Sequence, residues 1–344
     1  MILRENLDRI IKGKTVLVTG ASGTVGSEIV RQLSRWFPKQ IVCLGRQREK
    51  LDHLIVTQRT FDNAVDLVVE VCDVCDQRRI NQVFVKYVPD IVFHMAAEKD
   101  IRSTNADPAY AVMVNVKGTL NVIESACKIG SEKLVFSSSI KAGQPTSVMG
   151  ATKRIGEMIV GSAAVNLGKS YYTVRLSNVL ESVGGVHALF CRQIENGGPL
   201  TITHPEAERV FVGSKVTARL LLETLGYGTP GSILAFAVGD KTRMIDLAKR
   251  LIRDYGLTEK DDIEIAYIGL RDGERLVEET ITAGKQWKTT PHGEILISNQ
   301  QGNPHSMPSF QIMVDELLEI ANSQETNELL HKISIIVPDY AGCD

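Results

Sequence analysis

The strongest constraint on this chain is a rhythm: through its first half, short apolar runs alternate with stretches of helical periodicity. TVLVTG, QIVCLG, DLVVEVCD, DIVFHMAA, KLVFSSS and YYTVRLSN have strand length and composition. Between them, Val25, Ile29, Val30, Leu33 and Trp36 fall on one helical face, and a second amphipathic pattern runs from Val114 to Ile129 and stops at Gly130. Strand, helix and strand in this succession predict βαβ units and therefore an α/β fold with a doubly wound parallel sheet. After about residue 178 the pattern loosens into segments punctuated by Gly and Pro, although SILAFAVG, IEIAYIG and a helix from Met244 to Tyr255 remain.

A chain of 344 residues with 43% hydrophobic content and a net charge of −2 can bury a full core, and its charge suggests neither a nucleic acid nor an anionic membrane as partner. The opening MILRENLDRIIKGK lacks the apolar stretch of about 7–15 residues that a secretory signal needs. No later run approaches the ~20 apolar residues of a membrane span. Cys43, Cys72, Cys75, Cys127, Cys191 and Cys343 are scattered, without the spacing of a disulfide scaffold, which points to a reducing cytoplasm. Two thiolates spaced as Cys72 and Cys75 can grip zinc or form a redox disulfide. No second pair supplies further ligands, however, and His53, His94, His187, His204, His292, His305 and His331 are dispersed. The pair also ends an apolar run, so strand-end packing and no metal site are expected.

Thr19-Gly-Ala-Ser-Gly-Thr-Val-Gly26 follows the first apolar strand and opens an amphipathic helix. In that context Gly20, Gly23 and Gly26 let backbone amides approach a pyrophosphate at the positive end of the helix, which predicts a Rossmann dinucleotide site. The spacing TGxxGxxG resembles the short-chain dehydrogenase/reductase superfamily, extended type. The second strand ends Leu44-Gly45-Arg46-Gln47-Arg48, where an acid for the ribose 2′-hydroxyl of NAD is missing and two cations stand instead. A 2′-phosphate suits that arrangement, so NADP is expected, with NAD as the alternative. The same resemblance implies a cofactor set of Gly20, Ser22, Gly23, Thr24, Val25, Gly26, Arg46, Asp73, Val74, Ala96, Ala97, Asn115 and Lys153, with Asp73 facing the adenine amine. The division expected is a cofactor-binding Rossmann domain over residues 1–178 and a substrate-binding lobe over 179–344, with some strands and helices of the second half returning to the first.

The stretch from Ser137 to Lys153, SSSIKAGQPTSVMGATK, resembles the active-site segment of bacterial UDP-N-acetylglucosamine 4,6-dehydratases of capsule and flagellar-glycan synthesis, whose usual pattern is STDKAxNPxNxYGATK or the same with Met for Tyr. The likeness continues in Arg175-Leu-Ser-Asn-Val-Leu180, in GGPLTITHPE ending at Glu206, in Gly269-Leu-Arg-Asp-Gly-Glu-Arg-Leu276 and in Val337-Pro-Asp-Tyr340, so it covers essentially the whole chain. Many relatives carry an amino-terminal block of membrane helices, whereas this chain is expected to start directly at the soluble enzyme. The resemblance implies that Ser139 hydrogen-bonds the sugar O4, while Lys153, one helical turn beyond Met149, holds the nicotinamide ribose and lowers nearby pKa values. Met149 stands where the superfamily usually has a tyrosine, and a thioether neither takes nor gives a proton. In the Met-bearing subset an adjacent Asp-Lys pair takes over the proton work. Lys141 preserves the lysine, but position 140 is Ile. Lys141 is then expected as the C5 base or as a phosphate ligand, and Glu98, which with Lys99 follows the fourth strand on the sugar side, as a replacement acid.

For the nucleotide end, the resemblance implies Asn178 at the diphosphate or sugar, Arg209 and Arg271 as a cationic clamp, Glu274 near the ribose, and Thr201 and Thr203 on a strand along the uracil. The implied function is an NADP-dependent dehydratase of a UDP-N-acetylhexosamine, with or without inversion at C5, assembled as a homo-oligomer such as a dimer or hexamer. Two alternatives stand beside it: an epimerase or oxidoreductase on the same substrates, and a non-catalytic NADP or UDP-sugar sensor.

Overall fold

In the computed structural model, which describes residues 2–59, 65–278, 281, 283, 284, 286–298 and 307–342, each of the six apolar runs forms a strand. These are β1 (Thr15–Thr19), β2 (Gln40–Gly45), β3 (Asp66–Val71), β4 (Ile91–His94), β5 (Lys133–Ser139) and β6 (Ser170–Leu176). They lie parallel in the order β3-β2-β1-β4-β5-β6. The sheet continues with Ile233–Phe236 parallel to β6, then with Ile295–Ser298 and Trp287–Thr289 antiparallel, for nine strands in all. Because side chains alternate along a strand, Leu17, Val42, Leu44, Val92 and Leu134 enter one apolar cluster. Val16, Val18, Ile41, Cys43 and Phe93 enter another on the opposite face. Both faces are covered, which is why the strands read as unbroken apolar runs.

The helix Thr24–Leu33 buries Ile29, Val30 and Leu33, as the periodicity of that segment requires. The second amphipathic pattern is part of a longer helical stretch. It starts at Pro108 behind an Asp107 cap, passes through a π-helical segment at Met113–Lys117 and ends at Ile129 before Gly130. The π segment displaces the backbone around Asn115, a local irregularity that hydrophobic periodicity does not register.

Beyond β6 the chain divides its residues between two bodies. Ser214–Glu223 packs on the helix Thr24–Leu33, while Met307–Ser323 and Thr326–Ile336 send Phe310, Leu317 and Ile333 into the cluster that holds Leu134 and Phe136. A separate cluster, with Phe190, Leu200, Ile202, Leu247 and Leu251, joins Val186–Glu195 and Met244–Asp254 to the strand pair Leu200–Ile202 and Ile265–Tyr267. A further three-stranded sheet sets Glu208–Val212 between Asn178–Val179 and Asp240–Arg243.

The cysteine pair caps a strand end. Cys72 Sγ donates to the Asp73 carbonyl at 3.2 Å and Cys75 Sγ to that of Met113 at 3.3 Å. Burial pushes both thiols up to about 12. Among the described residues no group of three or more His, Cys, Asp or Glu is placed to hold a metal ion, and no helix is long and apolar enough to cross a membrane. Cys343 and His305 lie outside the described residues.

The carboxy-terminal helices share the core of the sheet, so damage there should propagate to the whole. Leu317 is fully buried, and Leu317→Ala is expected to lower unfolding free energy by about 2–5 kcal/mol in a urea melt with the transition still single. A second, earlier transition would show instead that residues 307–336 unfold on their own.

Candidate active site

A cavity of 1560 Å³ runs across the carboxyl ends of the parallel strands, lined from both halves of the chain. Open α/β sheets bind ligands at this edge, and the volume exceeds the roughly 300–1,000 Å³ of a pocket for one small ligand. With one exception the cofactor, catalytic and substrate residues that the resemblance implies line this cavity, including the loop Gly20–Gly26 apart from Ala21, Arg46, Asp73, Val74, Ala96–Lys99, Ser139, Lys141, Met149, Lys153, Asn178, Thr201, Thr203, Arg209, Arg271 and Glu274. The exception is Asn115, which is buried behind the wall. Its side chain exchanges hydrogen bonds with the Glu98 backbone, both at 2.9 Å, and donates to Thr152 Oγ1 at 3.0 Å, so it ties the β4 exit to the helix Val148–Leu167.

The glycine loop fits a pyrophosphate. Gly20 has φ +63°, and a Cβ there would stand 2.8 Å from the Ala96 nitrogen; at Gly26 it would stand 2.2 Å from the Gly20 carbonyl oxygen. Gly20 and Gly26 are therefore closed to side chains, and the cradle at these positions is backbone. Gly23 caps the helix Thr24–Leu33 without a side-chain acceptor, leaving the first-turn amides for an anion. From the second half, Val183 N donates to Thr24 Oγ1 at 3.0 Å and lays the segment Ser182–Gly185 along the loop.

At the β2 end the two arginines part. Arg46 lines the cavity, donating to Tyr110 OH at 2.5 Å with Asp73 Oδ2 at 3.8 Å. Arg48 turns away to Asp52, 2.8 Å distant on the same helix, and its place at the cavity is taken by Lys50. The cations at the cavity are thus Arg46 and Lys50, in place of the Arg46 and Arg48 read from the sequence, an exchange that helical phase decides.

Met149, Lys153 and Glu157 form an i, i+4, i+8 stripe on Val148–Leu167, a helix capped by Ser147 Oγ, and the stripe faces β5. Lys153 is buried, its Nζ donates to the Ser137 carbonyl at 2.8 Å, and it lies over the Phe136 ring. Burial pushes its ammonium down to about 7, with Glu157 opposing. Glu157 receives Arg175 through two hydrogen bonds of 2.8 and 2.7 Å, Arg154 at 2.9 Å and Ser138 Oγ at 2.7 Å. Burial alone would raise this carboxyl, but Arg175 and its neighbours hold it below the usual carboxylate range. Beside Lys153, the wholly buried His94 is pushed down to about 3 by burial and by the lysine charge, and so is neutral. Thr119 Oγ1 donates to the Asn115 carbonyl at 2.7 Å and so accepts from His94 Nε2, which leaves Nδ1 to accept from Thr19 Oγ1. Ser139 caps the turn after β5, its Oγ accepting from Lys141 N at 3.3 Å.

Opposite lies a second charged cluster. Lys141 Nζ meets Glu278 Oε1 at 2.6 Å and donates to Asn178 Oδ1 at 3.1 Å, while the Asn178 amide donates to Glu278 Oε2. Arg209 pairs with Glu274, approaches Glu278 at 3.6 Å and donates to the carbonyls of Glu208 and Leu276. Thr203 Oγ1 donates to Glu274 at 3.0 Å. Arg209 therefore fastens the 271–278 segment to its own strand, and the Arg271 guanidinium has no partner among the described residues. Glu98 Oε1 accepts from the backbone nitrogens of Lys99 and Asp100. Glu278 is the functional candidate that sequence reasoning missed; its signal was the acidic continuation Val277-Glu278-Glu279 of the 269–276 motif.

A family model described as polysaccharide biosynthesis protein matches residues 16–300. The capsular polysaccharide biosynthesis protein CapD of Staphylococcus aureus is 40% identical over 277 residues, which are 80% of this chain and 46% of that protein. The probable polysaccharide biosynthesis protein EpsC of Bacillus subtilis is likewise 40% identical, over 79% of this chain and 45% of its own length. The chain thus spans under half the length of these two relatives. Among solved structures, Pen from Bacillus thuringiensis superposes with a TM-score of 0.74 at 27% identity, covering 92% of this chain and 98% of that one.

Two outcomes test the geometry. Gly26→Ala is expected to weaken dinucleotide binding by roughly tenfold or more in calorimetric titration, since the loop must open to admit the methyl. Lys153 binds its proton more weakly when folded, near 7 against 10.5 unfolded, so between those values only the unfolded chain keeps the proton. Its penalty on stability is full below pH 7 and is relieved as pH rises. Lys153→Met should therefore flatten the rise of stability with pH in urea melts between these limits, and an unaltered slope would place the ammonium in water.

Proposed function

The chain belongs to the polysaccharide biosynthesis protein family, and from that premise we propose that it is an NADP-dependent 4,6-dehydratase of a UDP-N-acetylhexosamine. The observation that carries this reading is one cavity lined by the glycine cradle, by Ser139, Lys141 and Lys153, and by Arg271 with Asn178 from the second half of the chain. Such a cavity suits two nucleotides meeting head to head at a sugar. Residues 1–178 are assigned to the cofactor and the lobe within 179–344 to the nucleotide sugar. The dinucleotide, when bound, supplies a hydride acceptor for C4 and a hydride donor for C6.

The chain's own residues do the rest. Gly20, Gly23 and Gly26 with the first-turn amides hold the pyrophosphate; Arg46 and Lys50 face the adenosine ribose, and Asp73 the adenine. Ser139 orients O4, and Lys153, anchored on Ser137, holds the nicotinamide ribose and favours proton loss from O4 through its charge. Met149 packs without exchanging protons. Arg271 clamps the diphosphate beside Asn178, while Thr201 and Thr203 present their strand to the uracil. A ketone at C4 acidifies C5, so elimination of the C6 hydroxyl then needs a base and an acid close to Lys141.

Ile140 and Met149 favour a second reading, in which a site short of proton donors stops at C4 and epimerises. Incubation with a panel of UDP-sugars separates the two, because a dehydrated product is one water lighter and an epimer has unchanged mass. Products of unchanged mass throughout would reject dehydration. Arg46→Ala is expected to weaken NADP by roughly tenfold to a hundredfold, the worth of one charge-assisted contact, while NAD affinity holds. Equal losses for the two dinucleotides would remove the argument for NADP.

A further inference from the structure

We propose that Glu278 is the proton-exchange partner of Lys141, supplying from the second half of the chain the carboxylate that Ile140 does not provide beside it. The assignment rests on the dehydratase reading above. Three observations lead to it. Lys141 Nζ lies 2.6 Å from Glu278 Oε1, and Asn178 bridges the two, accepting from the ammonium and donating to Glu278 Oε2. The pair is graded in exposure, 25% for the lysine side chain and 5% for the glutamate, so the lysine opens to the cavity with the carboxylate behind it. Arg209 Nε also stands 3.6 Å from Glu278 Oε1, but none of three other wall carboxylates meets Lys141: Glu98 is held by its own turn, Glu274 by Arg209 and Thr203, and Asp73 by Cys75 N. A buried ion pair adds little net stability over an apolar replacement, so stability alone gives no reason for charges at this wall.

The pair can move one proton and return to its starting state. Lys141 passes a proton to Glu278 and becomes a neutral amine. The amine takes the proton from C5; that C–H electron pair forms the C5–C6 double bond, conjugated with the C4 ketone, and the C6–O bond breaks. The new ammonium protonates the departing oxygen, which leaves as water, and Glu278 gives its proton back to the lysine. One proton has passed from C5 to O6. Glu278 acts through Lys141 throughout and is a positioning and relay residue.

The test uses the purified full chain with NADP and UDP-N-acetylglucosamine in deuterated water, comparing wild type with Glu278→Gln, Lys141→Met and the double variant. Two readouts are taken in single turnover: reduction of bound cofactor by absorbance, reporting oxidation at C4, and deuterium entry at C5 with water loss by mass spectrometry. Glu278→Gln is expected to keep cofactor reduction close to wild type and to lower C5 exchange and water loss by roughly a hundredfold or more. Lys141→Met should show the same split, and the double variant no further loss, as for groups that act as one unit. If Glu278→Gln does not fold, the double variant, which removes both charges together, carries the same expectation. Wild-type exchange at C5 in these variants overturns the proposal, and so does a parallel fall of both readouts, which marks Glu278 as structural. Wild-type protein that neither reduces cofactor nor dehydrates any UDP-N-acetylhexosamine overturns the dehydratase reading and this assignment with it.

Discussion

Everything at the active site leans on one contact surface, the face of Val148–Leu167 pressed against β5. That helix brings Lys153 and Glu157 into a buried wall, where an isolated charge is costly. The cost is offset by pairing: Glu157 is closed on by Arg175 from β6, Arg154 from its own helix and Ser138 from β5. In register, Ser138 stands beside Arg175, so one carboxylate binds two adjacent strands to the helix that crosses them. Removing one partner of such a cluster leaves an uncompensated buried charge, worth about 3–5 kcal/mol. The position of Lys153 over Phe136, and of Ser139 at the strand tip, follows from that fastening.

The other wall is fastened differently, through a segment far along the chain. Thr146 Oγ1 donates to the Gly273 carbonyl at 2.9 Å, Arg275 to that of Gln144 at 2.7 Å and Asn105 to that of Asp272 at 3.2 Å. Residues 272–275 are thus clasped by Asn105 and by the loop that precedes the helix Val148–Leu167, while Arg209 ties their other side to the strand Glu208–Val212. The cavity has two walls because two hydrogen-bonded seams hold them at a set separation.

Local pattern is what the sequence makes legible. Parallel strands covered on both faces must be apolar throughout, so six of them stand out, and three glycines spaced between a strand and a helix mark a backbone cradle for phosphate. What depends on partners does not show. The resemblance places Asn115 at the cofactor, whereas its side chain, in a π segment that hydrophobic periodicity does not reveal, braces Glu98 and Thr152. Arg48 and Lys50 exchange roles because Asp52 sits one turn along the helix from Arg48. The helices of 307–336 carry no motif, and only the apolar surface of the sheet gives them a place. Glu278 is hidden for the same reason, since its meaning lies in Lys141, which the sequence does not place beside it.

That last case bears on how such a site works. A carboxylate supplied by a neighbour in the chain is present in every conformation of the loop. One supplied by the 271–278 segment reaches Lys141 only while that segment is docked against Thr146 and Gln144. Assembly of the Lys141–Glu278 pair therefore depends on the docking of that segment. A carboxylate at position 278 in place of one at position 140 would add that docking as a condition of the proposed proton exchange.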